Sequence, residues 1–335
     1  MKTYPTFRAC TLSKKEKHDK IKDGWRKKMM EEYKDYMVDA IAGNESIRAY
    51  AVTSRNLVEY ARKAHNLSPI ATAALGRTMS VTVLMGSMLK NESDTLTVQI
   101  NGNGPLKNIT AVSDNGGNVR GYVANPYVIL PPEANGHLNV GGGVGQGTLT
   151  VIRDLGLKEP YVSTIPLRTG EIGDDFTYYF AQSEQTPSSV GLGVLLNKEN
   201  VMVAHAGGFI LQLLPNCPEE IIEKLEANLK EFKGVTETLK EEDTPEHLLK
   251  TVLKGFDIDF LSKKDVQFKC NCSYERGLRV LSSLGEEELK KIVGEGKPVE
   301  VSCSFCGKKY DYSLDVLKDL QKKAHEEAGK KAEKK

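Results

Sequence analysis

Residues 69–89 read PIATAALGRTMSVTVLMGSML, and this stretch sets the plan of the first half of the chain. It is rich in Ala, Met and Leu and reads as a buried helix, with Gly76 and Gly86 permitting close packing. On either side, Ile47–Val52 and Leu96–Ile100 alternate and carry β-branched residues, the pattern of strands. Val119–Val123, Thr148–Ile152, Phe176–Phe180 and Val190–Leu196 read as further strands, separated by clusters of Gly, Pro and Asn. Strands outnumber helices and hairpin-length turns join them. The expected fold class over residues 37–215 is therefore α+β, a mainly antiparallel sheet core with packed helices.

The whole chain has 335 residues and a mass of 37.0 kDa, enough for two domains. Hydrophobic residues at 39% and charged residues at 27% fit a water-soluble globular protein. Lys plus Arg is 46 against 45 for Asp plus Glu, so the totals lack the basic excess of a nucleic-acid binder. No run approaches a membrane span, and the apolar stretch Val201–Leu214 holds His205, two glycines and Gln212. The N-terminus has no apolar segment of the secretory type, so a cytoplasmic protein is expected. Residues 1–36 read as a polar, basic extension, a solvated helix or disordered arm, with Lys14, Lys15, Lys17, Lys20, Lys22, Arg26, Lys27 and Lys28 among interspersed acids. Those acids weaken a mitochondrial presequence, and Met29, Met30 or Met37 offers an alternative start.

Past Pro215-Asn216-Cys217-Pro218 the composition changes. Glu219–Phe232 reads as an amphipathic helix with Ile221, Ile222, Leu225, Leu229 and Phe232 on one face. After the acidic run Glu241-Glu242-Asp243, a second helix is expected from Thr244 as N-cap and Pro245 as first helical residue. Residues 216–260 thus form a charged helical linker with narrow apolar stripes, able to dock weakly on something larger. Residues 261–320 make a small third unit, and a charged, Lys- and Glu-rich tail follows over residues 321–335.

The third unit holds four of the six cysteines as Cys270-Asn271-Cys272 and Cys303-Ser304-Phe305-Cys306, with 30 residues between the pairs. A unit of this size buries too little surface to be robust unaided. Four thiolates in two knuckles can close a tetrahedron around Zn²⁺ at about 2.3 Å, so Cys270, Cys272, Cys303 and Cys306 are the candidate metal ligands, for one zinc per chain. Short strands at Val266–Lys269 and Val299–Val301 would deliver the pairs, with a helix at Glu286–Val293 between them. The C-x-C half is unusual for a zinc ribbon, and closely spaced thiols make strained, labile disulfides. Oxidising four thiolates to two disulfides would remove the ligands, eject the metal and unfold the unit. Two readings stay open on the cysteines alone: a zinc that merely holds the unit together, and a zinc whose loss on oxidation is a switch.

These residues, in this order, resemble the redox-regulated heat-shock chaperonin family named for its 33 kDa subunit. The core carries the resemblance too, at Thr72–Arg77, Arg120–Pro126, Gly170–Ile172, Ser183–Ser189, Ala206–Phe209 and Gln212–Pro215. It covers roughly residues 37–320 and leaves out the first 36, with Cys10. The resemblance implies an ATP-independent holdase rather than an enzyme. In the reduced state zinc is held by all four cysteines and the protein is inactive. Oxidation forms Cys270–Cys272 and Cys303–Cys306 disulfides, releases zinc and unfolds the linker. The core then forms a homodimer, binds unfolding client proteins, and later passes them to an ATP-driven chaperone system.

Other signals carry less. Gly141–Gly147 lacks the Gly-Lys-Ser/Thr of a phosphate loop and reads as a flexible hairpin turn. His205 reads as a packed core histidine, since no nucleophile elbow accompanies Ser188 or Ser189. Met79, Met85, Met88 and Tyr178–Phe180 read as core, and Cys217 as a spectator thiol. The competing functions are a thiol-disulfide oxidoreductase built on Cys303/Cys306 and a zinc-ribbon nucleic-acid binder using Lys308, Lys309 and Tyr310.

Overall fold

The structure, a computed structural model, describes residues 34–134 and 136–332. Cys10, Met29, Met30 and nearly all of the N-terminal extension lie outside them. The chain begins with β1 (Tyr36–Ala42), β2 (Ile47–Thr53), α1 (Arg55–His65) and α2 (Pro69–Ser87). There follow β3 (Thr95–Gly102), β4 (Asn108–Asp114), β5 (Asn118–Val123), α3 (Val140–Val144), β6 (Gly147–Asp154) and β7 (Tyr161–Pro166). Next come α4 (Gly173–Ser183), β8 (Ser188–Leu196), β9 (Val203–Leu213), α5 (Glu219–Glu231), α6 (Val235–Glu241) and α7 (Pro245–Val252). The C-terminal part runs β10 (Ile258–Asp265), β11 (Gln267–Phe268), α8 (Tyr274–Ser282), α9 (Glu286–Gly294), β12 (Val299–Ser302), β13 (Lys309–Tyr312) and α10 (Leu314–Ala332).

Two sheets sandwich α2. The first has strand order β10-β1-β2-β9-β8 and is antiparallel throughout. The second, β11-β5-β4-β3-β6-β7, is antiparallel except for the short parallel pair β11–β5. Helix α2 touches β3, β4 and β5 on one side and β2, β8 and β9 on the other. A helix buried all round must satisfy its own polar side chains, and this one does: the hydroxyls of Thr72, Thr78, Ser80 and Thr82 donate to carbonyls four residues back at 2.6–2.9 Å. Gly86 lies against β4, where an added Cβ would come within 2.9 Å of the Asp114 carbonyl oxygen. Gly86→Val is therefore expected to cost about 1–3 kcal/mol, read as a lower urea midpoint with an unchanged slope.

The first sheet is apolar on both faces, and its period-two alternation sorts the side chains into two cores. Met37, Tyr50, Val52 and Ile210 face α2. Val38, Ala40, Ala42, Ile47, Ala49, Ala51, Phe209 and Leu211 face the other way. There they meet Leu225 of α5, Val235 and Leu239 of α6, and Leu248, Leu249, Val252 and Leu253 from α7 and its end. The docking is deeper than narrow stripes suggest, because Leu239, Leu248, Leu249, Val252 and Leu253 are completely buried. Thr244 caps α7 as expected, its Oγ1 accepting from the His247 N–H at 3.2 Å, with Pro245 in the first turn. Tyr36 Oη donates to Glu246 at 2.7 Å and ties α7 to β1.

Four local expectations need correction. Phe176–Phe180 is helical, part of α4. Asp175 accepts the N–H groups of Arg168, Thr169 and Ile172 and so starts a helix, while Phe176, Tyr179 and Phe180 fall on one buried face. Within Gly141–Gly147, the first four residues belong to the short helix α3, not a hairpin turn, with Asn139 accepting from Gly142 N–H at 2.7 Å and Glu171 from Gly141 N–H at 2.6 Å. Residues 261–265, read with the third unit, pair with β1 as the edge strand of the first sheet. His205 is only partly buried, its Nδ1 3.3 Å from Asp243 at the α6–α7 turn. The methionines and Tyr179–Phe180 do pack in the core.

Candidate metal centre

The two cysteine pairs, 30 residues apart in sequence, meet in the structure. One ligand atom from each of Cys270, Cys272, Cys303 and Cys306 lies within 4.8 Å of all the others, and all four side chains are partly buried. Cys270 Sγ is 3.7 Å from Cys303 Sγ, and Cys272 Sγ is 3.4 Å from Cys306 Sγ. A tetrahedron of sulfurs 2.3 Å from zinc has edges of about 3.8 Å, so the donor set and its spacing fit that ion. Both of these contacts bridge the knuckles, and proximity alone does not single out the pairing within each knuckle.

Local structure places each sulfur. Cys270 and Cys272 follow β11, whose pairing with β5 anchors them to the core. Cys303 and Cys306 sit in the turn between β12 and β13, where Cys303 N–H donates to Lys308 O at 2.9 Å and Gly307 N–H to Cys303 O at 2.8 Å. Gly307 has φ +70°, and a Cβ there would come within 2.9 Å of Ala64 O, so both conformation and space require glycine. Tyr310 Oη donates to Cys272 Sγ at 3.2 Å. Burial pushes the Cys270 and Cys306 thiols up. At Cys272 burial is outweighed by the bonds from Tyr310 and the neighbouring thiols, which bring it down to about 7.

Around the sulfurs the unit is thin. The completely or nearly buried side chains of its apolar cluster are Leu281, Tyr312 and Leu317. Its grip on the core comes through the knuckle itself. The Phe305 ring packs edge-on to Tyr122 at 5.2 Å and lies under the Arg120 guanidinium at 5.1 Å. His65 Nε2 pairs with Phe305 O at 2.9 Å, and Phe268 packs on Tyr60 at 4.6 Å. Sequence reading passed over Phe305, Tyr310's role on sulfur, His65 and Arg120; only the position of Phe305 between two cysteines hinted at a part. Cys217 stands apart near the start of α5, and Ser188 and Ser189 lie in β8.

The Hsp33 protein family model matches residues 35–313. The chain is 49% identical to the 33 kDa chaperonin of Clostridioides difficile, over 86% of its own length and 100% of that protein. It is 46% identical to the 33 kDa chaperonin of Agathobacter rectalis, over 86% of this chain and 99% of the relative. Among solved structures, the 33 kDa chaperonin (heat shock protein 33 homolog) of Thermotoga maritima superposes with a TM-score of 0.80 at 36% identity, covering 87% of this chain and 98% of that one. The α+β core expected from the strands around α2 is that family's architecture, and no helix among the described residues is long and apolar enough to cross a membrane. On the match over residues 35–313 and relatives aligned end to end, the chain belongs to the Hsp33 family.

Proposed function

We propose that this protein is a redox-switched, ATP-independent holdase of the cytoplasm, without enzymatic activity. Reduced, it would hold one zinc through Cys270, Cys272, Cys303 and Cys306. One observation carries the reading: the thiol cluster and a covered apolar sheet face sit at the two ends of one connector. Helices α5–α7 lie on Val38, Ala40, Ala42, Ile47, Ala49 and Ala51, and the chain leaving them runs through β10 and β11 directly into Cys270. Zinc, when bound, supplies folding energy to a unit whose own core is small. Tyr310 steadies the Cys272 sulfur, Gly307 turns the second knuckle, and Phe305 holds that knuckle on β5. Oxidation to Cys270–Cys272 and Cys303–Cys306 disulfides would remove the ligands, loosen this hold and free the linker. The uncovered face would then dimerise and bind unfolding clients, for later transfer to an ATP-driven chaperone system.

The test is light scattering from an aggregating client, with the chain added after zinc-plus-reductant or after peroxide treatment. Suppression by the oxidised sample alone, reversed by reductant, is the expected result. Equal behaviour of the two samples would reduce the cysteines to a structural site.

A further inference from the structure

The cysteine cluster is open on one side. A groove of about 630 Å³ runs beside it, walled by α8, the second knuckle and the core strand β5. Cys270, Cys272 and Cys303 line it together with Arg120, Arg276 and Arg279, and none of its described lining residues is acidic. The three guanidinium groups come from two separately folded walls. Arg276 and Arg279 lie three residues apart on α8, hence on one face of that helix, and both are exposed. Arg120 reaches in from β5 across the Phe305 ring. Arg276 spends one N–H on the Asn271 carbonyl at 2.9 Å, and Arg279 has Glu275 as its acidic neighbour on the same helix. Among the described residues, neither Arg120 nor Arg279 forms an ion pair within 4.0 Å.

Guanidinium groups are planar forks that match carboxylates, and a groove of this volume is the size of a small organic ligand's site. We infer that the groove receives a small disulfide bearing carboxylates, which Arg120, Arg276 and Arg279 hold against the thiols for thiol–disulfide exchange. A thiolate lining the groove attacks one sulfur of the small disulfide. That S–S bond breaks, a mixed disulfide forms, and one small thiolate leaves and takes a proton from water. A second cysteine of the cluster, also as its thiolate, attacks the protein sulfur of the mixed disulfide and releases the second small thiolate, which likewise takes a proton from water. Two electrons pass from two protein sulfurs to the small disulfide, which ends as two thiols. The inference rests on the thiol-switch reading for its chemistry and adds the class of oxidant that the site selects.

Three probes separate recognition from bare reactivity: oxidised glutathione, which is anionic; 2-hydroxyethyl disulfide, which is neutral; and cystamine, which is cationic. Thiol loss from the reduced, zinc-loaded full chain is followed at low salt, and each rate is divided by that of the same disulfide with 2-mercaptoethanol. The normalised rate for the anionic probe is expected to exceed that for the cationic one by about tenfold or more, with the neutral probe between. Arg279→Gln, on an exposed position, should cut this ratio by at least about half, Arg120→Gln with Arg279→Gln should cut it further, and added salt should do the same. A ratio near one, or a ratio that ignores both the arginines and salt, overturns the groove and leaves the switch standing. Failure of every disulfide to oxidise a cluster that peroxide still oxidises would likewise overturn the groove alone, and failure of peroxide as well would overturn both. Zinc content of each variant, expected to equal that of the parent, guards against an unfolded unit.

Discussion

Leu249→Glu is expected to make the protein hold an aggregating client in solution while fully reduced and zinc-loaded. Leu249 is completely buried under α7, where that helix lies on β1, β2 and β9. Truncating such a side chain to alanine costs about 2–5 kcal/mol, and a carboxylate placed there must also shed its water without a partner. The three linker helices have 13, 7 and 8 residues, lengths at which isolated helices are marginal, so they depend on the sheet for their order. They should leave together. The sheet itself stays anchored by α2 on its other face, so the core should keep its cooperative melting while amides of residues 219–252 lose hydrogen-exchange protection. Leu239→Ala with Leu249→Ala gives a milder version should the charged variant express poorly. An open linker by exchange, with no suppression of light scattering, would show that this face does not bind clients.

Cys303→Ser should lower bound zinc from one per chain to well below that, and it should unfold the C-terminal unit without touching the core. Structural zinc contributes about 10–16 kcal/mol of apparent binding free energy in small domains. The unit's apolar cluster, with Leu281, Tyr312 and Leu317 as its buried members, has little to set against such a loss. Limited proteolysis should then cut within residues 269–313, and a chelator applied to the parent chain should reproduce the pattern. Cys217→Ser should leave zinc content and cleavage unchanged, because that thiol is remote from the cluster. Retention of a full equivalent of zinc by Cys303→Ser would remove Cys303 from the ligand set.

Much of this architecture was legible in the sequence, and the exceptions have physical reasons. The apolar run of α2 announced a buried helix, though not the two sheets it lies between, and Thr244-Pro245 announced the start of α7. The four cysteines announced their own meeting, because few other uses need two such pairs in one small unit. The segment FTYYF misled through the strand propensity of aromatics, although its buried positions 176, 179 and 180 already followed a helical spacing. The edge strand β10 is exposed along most of its length, so it lacks the alternation by which strands are recognised. The hold of the second knuckle on the core was hidden for a different reason. It joins His65 to Phe305 across 240 residues, and no local pattern reports a partner so far away.

The face beneath the linker has one more property. Its floor is Ala40, Ala42, Ala49 and Ala51, bounded at its ends by Val38 and Ile47, with Phe209 and Leu211 to one side. Methyl groups in adjacent antiparallel strands make a shallow, even surface without sockets that would grade a visitor by the size or order of its side chains. A partner chosen by shape needs such sockets, whereas unfolding chains share no shape. On an alanine floor, leucine, phenylalanine and methionine would rest about equally well, so affinity would track the amount of apolar surface shown rather than any motif. Breadth of recognition would then follow from residues notable for being small.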